Sequence, residues 1–127
     1  MTEVREKRRV RLGPPGDIPP GATRKFDFYV AGHRVGAFVV HYRGGFYAYL
    51  NRCRHIPMEM DWVENRFLTE DGLYILCATH GACYLPDTGE CVSGPPFGKS
   101  LIRVPLVLED GELVATYPEN DDFFAET

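Results

Sequence analysis

Two short stretches of the chain each set a cysteine beside a histidine: Cys53 and His55 in CRH, and Cys77 and His80 in CATHG. Together they read C-x-H-x21-C-x2-H. Each pair offers one soft thiolate and one borderline imidazole, close enough in sequence for a single metal centre to draw ligands from both. Three arrangements compete for this set. A tetrahedral zinc site accepts two cysteines and two histidines, but the zinc finger runs Cys, Cys, His, His with a helix carrying the histidines. Here the order alternates and no helical pattern carries either histidine, although spacing alone does not exclude zinc. A [2Fe–2S] centre in which one iron keeps two cysteines and the other takes two histidines suits the alternation, because each loop then delivers one ligand of each kind. The third arrangement is two buried cysteines and two unrelated histidines. Two pairs so spaced, each at a predicted strand end and one followed by Gly81, make coincidence the weakest of the three.

The elements that must position these pairs read as short strands. Residues 1–12 are polar and basic, with Arg5, Lys7, Arg8, Arg9 and Arg11. GPPGDIPPG follows, and its paired prolines oppose both helix and central strand. FDFYV (26–30), GAFVVHY (36–42) and GFYAYL (45–50) are rich in aromatic and β-branched residues, and AGH and RGG separate them. These are strand and hairpin signals. Further strands are predicted at LYILC (73–77), ACYL (82–85), LIRV (101–104), PLVLE (105–109) and ELVATY (112–117). PDTG (86–89) and Asp110-Gly111 supply turns. MEMDWVENRFL reads as loop or short strand, and no repeat or sustained helical periodicity is present. The expected organisation is a basic, Pro/Gly-rich segment over 1–22, one all-β domain over 23–118 and an acidic tail over 119–127.

Composition narrows the function. At 127 residues, 44% hydrophobic and 25% charged, the chain can bury a core without disulfides. Its net charge of −4 leaves no basic surplus to hold a nucleic-acid backbone. No apolar run approaches the roughly 18 residues that a membrane span needs. Arg8 and Arg9 are followed by VRLGPPGDIPPG rather than an apolar stretch, so export is not expected. A cytoplasmic setting follows as the expectation, and there cysteines serve more often as metal ligands or thiols than as disulfides.

CRH, CATHG, Tyr84, PDTGE and SGPP (93–96), in that order and spacing, resemble the Rieske ferredoxins, with the motif-level likeness running from about Gly45 to Leu106. The resemblance implies a Rieske-like antiparallel β-sandwich or barrel, with a small cluster-binding subdomain of two hairpin loops. It implies one Rieske-type [2Fe–2S] cluster per chain. Cys53 and Cys77 would ligate the inner iron, and His55 and His80 the outer iron near the surface. Gly81 would let the backbone turn tightly, and Gly94-Pro95-Pro96 would shield the far side of the cluster. The implied role is electron carriage rather than catalysis, between a flavin-containing reductase and an oxygenase or other oxidoreductase. No general base or nucleophile stands out, and there is no room for the mononuclear-iron domain of full-length Rieske oxygenases.

Two neutral imidazoles in place of thiolates raise the potential into roughly the −150 to +300 mV range. Respiratory members carry a serine and a tyrosine two and four residues after the second histidine, both donating to the cluster; those places hold Ala82 and Tyr84 here. Met58 stands where they carry a disulfide cysteine. A potential below the respiratory type is expected, and it should fall with pH as the ligand imidazoles deprotonate. Tyr84 either donates to the cluster or packs in the core.

The remaining candidates read as structural. A two-residue loop at Asp87-Thr88 would pair Tyr84 with Cys91 and put Cys83 on the opposite face. A three-residue loop would leave the two cysteines diagonal, about 7 Å apart, beyond comfortable disulfide reach. Both therefore read as thiols. His33, His41, Trp62 and the aromatics from Phe26 to Tyr49 read as framework, and Arg52 and Arg54 as solvated, with a basic rim for an acidic partner as the alternative. The rival functions are a zinc-stabilised β interaction module, a cluster-based redox sensor and a small subunit of a nitrite-reductase-like complex.

Overall fold

The computed structural model describes residues 6–51, 68–69, 72–77, 81–94 and 99–118. Among these described residues lie ten antiparallel strands: β1 (Arg9–Gly13), β2 (Thr23–Val30), β3 (His33–Tyr42), β4 (Gly45–Leu50), β5 (Ile75–Leu76), β6 (Cys83–Tyr84), β7 (Cys91–Ser93), β8 (Arg103–Val104), β9 (Leu106–Glu109) and β10 (Glu112–Thr116). They form three sheets, in the orders β1-β10-β9, β2-β3-β4-β8 and β5-β6-β7. The expected all-β architecture is what the chain adopts. Among the described residues no helix is long and apolar enough to cross a membrane.

Turn chemistry sets the register of the longest strands. The β2–β3, β3–β4 and β9–β10 hairpins turn on Ala31-Gly32, Arg43-Gly44 and Asp110-Gly111, with φ of 51°/82°, 48°/82° and 52°/79°. Positive φ at both central residues is the type I′ turn, whose twist matches that of the flanking strands. Gly is the natural second residue in all three, since it enters this region without steric cost.

The four-stranded sheet lies between the other two and is buried on both faces at its β3 strand. Along β3, residues 37–40 (Ala-Phe-Val-Val) are all fully buried, so successive side chains serve opposite cores. Val35, Ala37 and Val39 join Phe26, Phe28, Ala48 and Leu50 against Val10, Leu12, Leu113 and Ala115 of the β1-β10-β9 sheet. Phe38 and Tyr49 point the other way, into a second cluster with Ile75, Cys77, Ala82, Tyr84, Cys91 and Leu101. Each fully buried large apolar side chain contributes roughly 1.5–3 kcal/mol relative to exposure. This second cluster carries the small sheet on the framework.

Three local features differ from the sequence reading. Residues 9–13, read as part of a polar basic segment, form edge strand β1: Val10 and Leu12 are buried while Arg9 and Arg11 face out. The period-two alternation in RVRLG is the signal, and the density of arginine hides it. Those arginines pair with Glu109 and Glu112 across β10. Within GPPGDIPPG, Pro15–Asp17 makes one 3-10 turn; Pro15 sits at its first position, where a missing N–H costs nothing. Strand β7 follows PDTGE without a β-branched run to mark it. Of MEMDWVENRFL, only Leu68, bridged to Ile75, falls among the described residues.

Candidate metal centre

The small sheet positions the second Cys/His motif. Strand β5 pairs with β6 through Ile75↔Tyr84 and Leu76↔Cys83, and Cys77 follows directly. The loop is closed by two backbone hydrogen bonds. Gly81 N–H donates to the Cys77 carbonyl at 2.9 Å, and Cys77 N–H donates to the Ala82 carbonyl at 2.8 Å. Gly81 has φ +70°, the left-handed conformation that lets the chain reverse here.

Cys77 is fully buried among Phe38, Tyr49, Ile75, Ala82, Tyr84 and Leu101. A bare thiolate is expensive in such surroundings, and a metal that takes its charge offsets that cost. This matches a sulfur ligand to an inner iron. Cys53, His55 and His80 lie outside the described residues, as do Arg52, Arg54, Met58, Trp62, Pro95 and Pro96. The donor set fits a mixed cluster on its chemistry, and the Cys77 environment fits the inner position.

Around this loop the packing is tight. Ala82 and Tyr84 are fully buried. Ala82 offers only a methyl group, and a Cβ built on Gly94, φ +100°, would lie 2.7 Å from its Cα and 3.0 Å from its Cβ. Gly94, at the head of the Gly-Pro-Pro stretch, is thereby packed backbone to backbone on the residue that follows Gly81.

The β6–β7 hairpin takes the register that pairs Tyr84 with Cys91. Its turn spans Pro86 to Gly89, closed by Gly89 N–H to the Leu85 carbonyl at 2.8 Å and Leu85 N–H to the Glu90 carbonyl at 2.9 Å. An irregularity between Cys83 and Tyr84 then sets Cys83 opposite Ser93. No disulfide joins Cys83 to Cys91, in line with the thiol reading. The Cys91 thiol donates to the Ser93 carbonyl at 3.1 Å.

Tyr49 is the site residue that sequence reasoning pooled with the core aromatics. It comes from β4, is fully buried and donates its hydroxyl to the Pro86 carbonyl at 2.8 Å. Gly89 lies against its ring, where a Cβ would stand 2.7 Å from Cε1. Burial pushes the Tyr49 hydroxyl pKa well above its ordinary value, with Arg103 opposing. The glycine closing PDTG was the available signal, since a glycine fixed in a turn can mark close packing as well as φ. His41 is structural, as expected: its Nδ1 lies 2.8 Å from the Ile18 carbonyl and its ring stacks on Phe46 at 4.2 Å. His33 opens β3 on the surface.

The family model described as the Rieske [2Fe–2S] domain matches residues 8–118. The fold is similar to a chain in a complex of reduced oxygenase and oxidized ferredoxin in carbazole 1,9a-dioxygenase, with TM-score 0.67 and 23% identity over 87% of this chain and 94% of that one. It is similar to the ferredoxin of carbazole 1,9a-dioxygenase from Nocardioides aromaticivorans IC177, with TM-score 0.65 and 22% identity over 87% and 99%. It also resembles part of the terminal oxygenase of carbazole 1,9a-dioxygenase from Novosphingobium sp. KA1, with TM-score 0.68 and 16% identity over 91% of this chain and 31% of that one. At these identities the structural likeness is one of fold. No curated protein matches the chain.

Proposed function

The chain belongs to the Rieske [2Fe–2S] domain family, and from that membership we propose that it carries single electrons on a Rieske-type cluster held by Cys53, His55, Cys77 and His80. The bound cluster supplies the redox chemistry, taking up one electron and giving it up again. The protein supplies ligand geometry and a controlled environment. Cys77, fully buried in an apolar cluster, keeps its sulfur from water. The hydrogen bonds between Cys77, Gly81 and Ala82 fix the backbone on which Cys77 presents its sulfur.

The observation that carries the reading is the family match over residues 8–118 joined to the buried Cys77 at the head of a closed loop. An oxygenase is the proposed electron acceptor, supported by the likeness to a chain from an oxygenase–ferredoxin complex. A flavin-containing reductase is the proposed donor, and one cluster per chain the proposed stoichiometry.

The test is a count of iron and acid-labile sulfide on anaerobically prepared protein, together with absorbance and low-temperature EPR spectra. About two of each per chain, and an average g below that of all-cysteine clusters, are expected. Cys77→Ser, His55→Ala and His80→Ala should each abolish the signal, while Cys83→Ser should keep it. Stoichiometric zinc without sulfide would overturn the reading.

A further inference from the structure

We infer that Tyr49 is a positioning residue that locks the second ligand loop onto the strand leading to the first; in its bearing on the cluster, this rests on the function proposed above. Cys77 and the strand that leads to Cys53 belong to different sheets of the framework. Strand β4 ends at Leu50, three residues before Cys53. Cys77, Gly81 and Ala82 lie at the end of the small sheet, next to β5 and β6. Any centre that takes ligands from both needs the two sheets held in one relative position.

Among the described residues, two attachments add to the apolar cluster that includes Phe38, Ile75, Tyr84 and Leu101. The first is the backbone strap at residues 99–104. Cys91 N–H donates to the Lys99 carbonyl and Leu101 N–H to the Gly89 carbonyl, both at 2.8 Å, while Leu50 N–H donates to the Ile102 carbonyl at 3.0 Å. These bonds tie one edge of the small sheet to β4. Arg103 Nη1, from β8, adds a longer, exposed contact to the β6–β7 turn, donating to the Asp87 carbonyl at 3.3 Å. The second attachment is Tyr49, whose hydroxyl grips the turn at Pro86 while its ring fills the space that the missing Gly89 side chain leaves. The turn passes this restraint to Cys77 through β6, by the pairs Ile75↔Tyr84 and Leu76↔Cys83 and by the bond from Cys77 N–H to the Ala82 carbonyl. The clamp is buried, so water does not replace the hydroxyl once it is removed, and the Pro86 carbonyl is left without this donor.

The experiment compares wild type, Tyr49→Phe and Val10→Ala. The last removes apolar volume from the opposite core, on β1 itself, and serves as a stability control. On protein as isolated, iron release to a chelator should be roughly three- to tenfold faster in Tyr49→Phe than in wild type, the factor that one neutral hydrogen bond is worth. Val10→Ala should release iron at the wild-type rate. In hydrogen exchange, the amides of Leu85, Gly89 and Cys77 should exchange faster in Tyr49→Phe, while those of β9 and β10 keep their wild-type rates. Equal exchange at Leu85, Gly89 and Cys77 in Tyr49→Phe and wild type overturns the clamp. So does iron release in Val10→Ala as fast as in Tyr49→Phe. Wild-type protein without iron would overturn the proposed function instead, and exchange at the same three amides would still decide the clamp.

Discussion

The backbone of Gly94 lies directly on Ala82, so closely that a Cβ at residue 94 would stand 2.7 Å from the Ala82 Cα. Real side chains do not tolerate such an approach, and φ of +100° at Gly94 adds a conformation that L-residues avoid. The Gly-Pro-Pro stretch therefore begins where the chain is pressed against Ala82, just beyond the second Cys/His motif.

Gly94→Ala should lose about 1–3 kcal/mol of stability from backbone strain, with the displacement of Ala82 added to it. Denaturant unfolding measures this directly. A variant within about 0.5 kcal/mol of wild type would mean that the contact relaxes freely, as surface substitutions do.

Ala82→Ser tests the same place electronically. Ala82 stands where respiratory relatives carry a donor to the cluster, and alanine cannot donate. A serine hydroxyl there should favour the reduced, more negative state and raise the potential. A preference of about 1 kcal/mol corresponds to roughly 40 mV for a one-electron couple. Voltammetry of the two proteins side by side reads the shift, and an unchanged or lowered potential would remove Ala82 from that role.

Tyr49 gives the fold a weakness at high pH. Its folded pKa is raised by burial, so above about pH 10 the unfolded chain loses this proton while the folded protein keeps it. Stability is therefore fully present below the ordinary tyrosine pKa. It falls as pH rises through the window above it, by at most about 1.4 kcal/mol per pH unit for this one group. Tyr49→Phe should be less stable at neutral pH yet show a shallower alkaline decline. Parallel slopes from pH 10 to 12 in urea unfolding would show that the Tyr49 proton does not contribute.

The β2–β3 turn can be improved. Ala31 sits at φ 51° in a type I′ turn, a region that alanine enters at a cost and asparagine enters more easily. Its N–H donates to Glu6, a backbone contact that substitution preserves. Ala31→Asn should stabilise the protein by about 0.5–1 kcal/mol, read as a higher thermal midpoint. A lowered midpoint would mean that the alanine methyl matters more than its backbone strain.

Much of this architecture is written locally. β2, β3, β4, β9 and β10 were legible because alternation and a two-residue turn lie within a dozen residues of each other. The ligand candidates were legible because type and spacing alone restrict the chemistry. β1 was not, since its buried Val10 and Leu12 sit among arginines whose partners, Glu109 and Glu112, lie about a hundred residues away. The β6–β7 hairpin allowed two registers on paper, and packing chose the one that pairs Tyr84 with Cys91.

From its residues alone, then, the chain disclosed most of its strands, several of its turns, a family resemblance and four ligand candidates, because each of these is encoded over short distances by side-chain type and turn chemistry. Tertiary structure decided that the middle sheet serves two cores, that Gly94 lies on Ala82, and that Tyr49 reaches a carbonyl 37 residues further along. Those relations depend on which surfaces meet once the sheets are packed, and no local pattern carries that information.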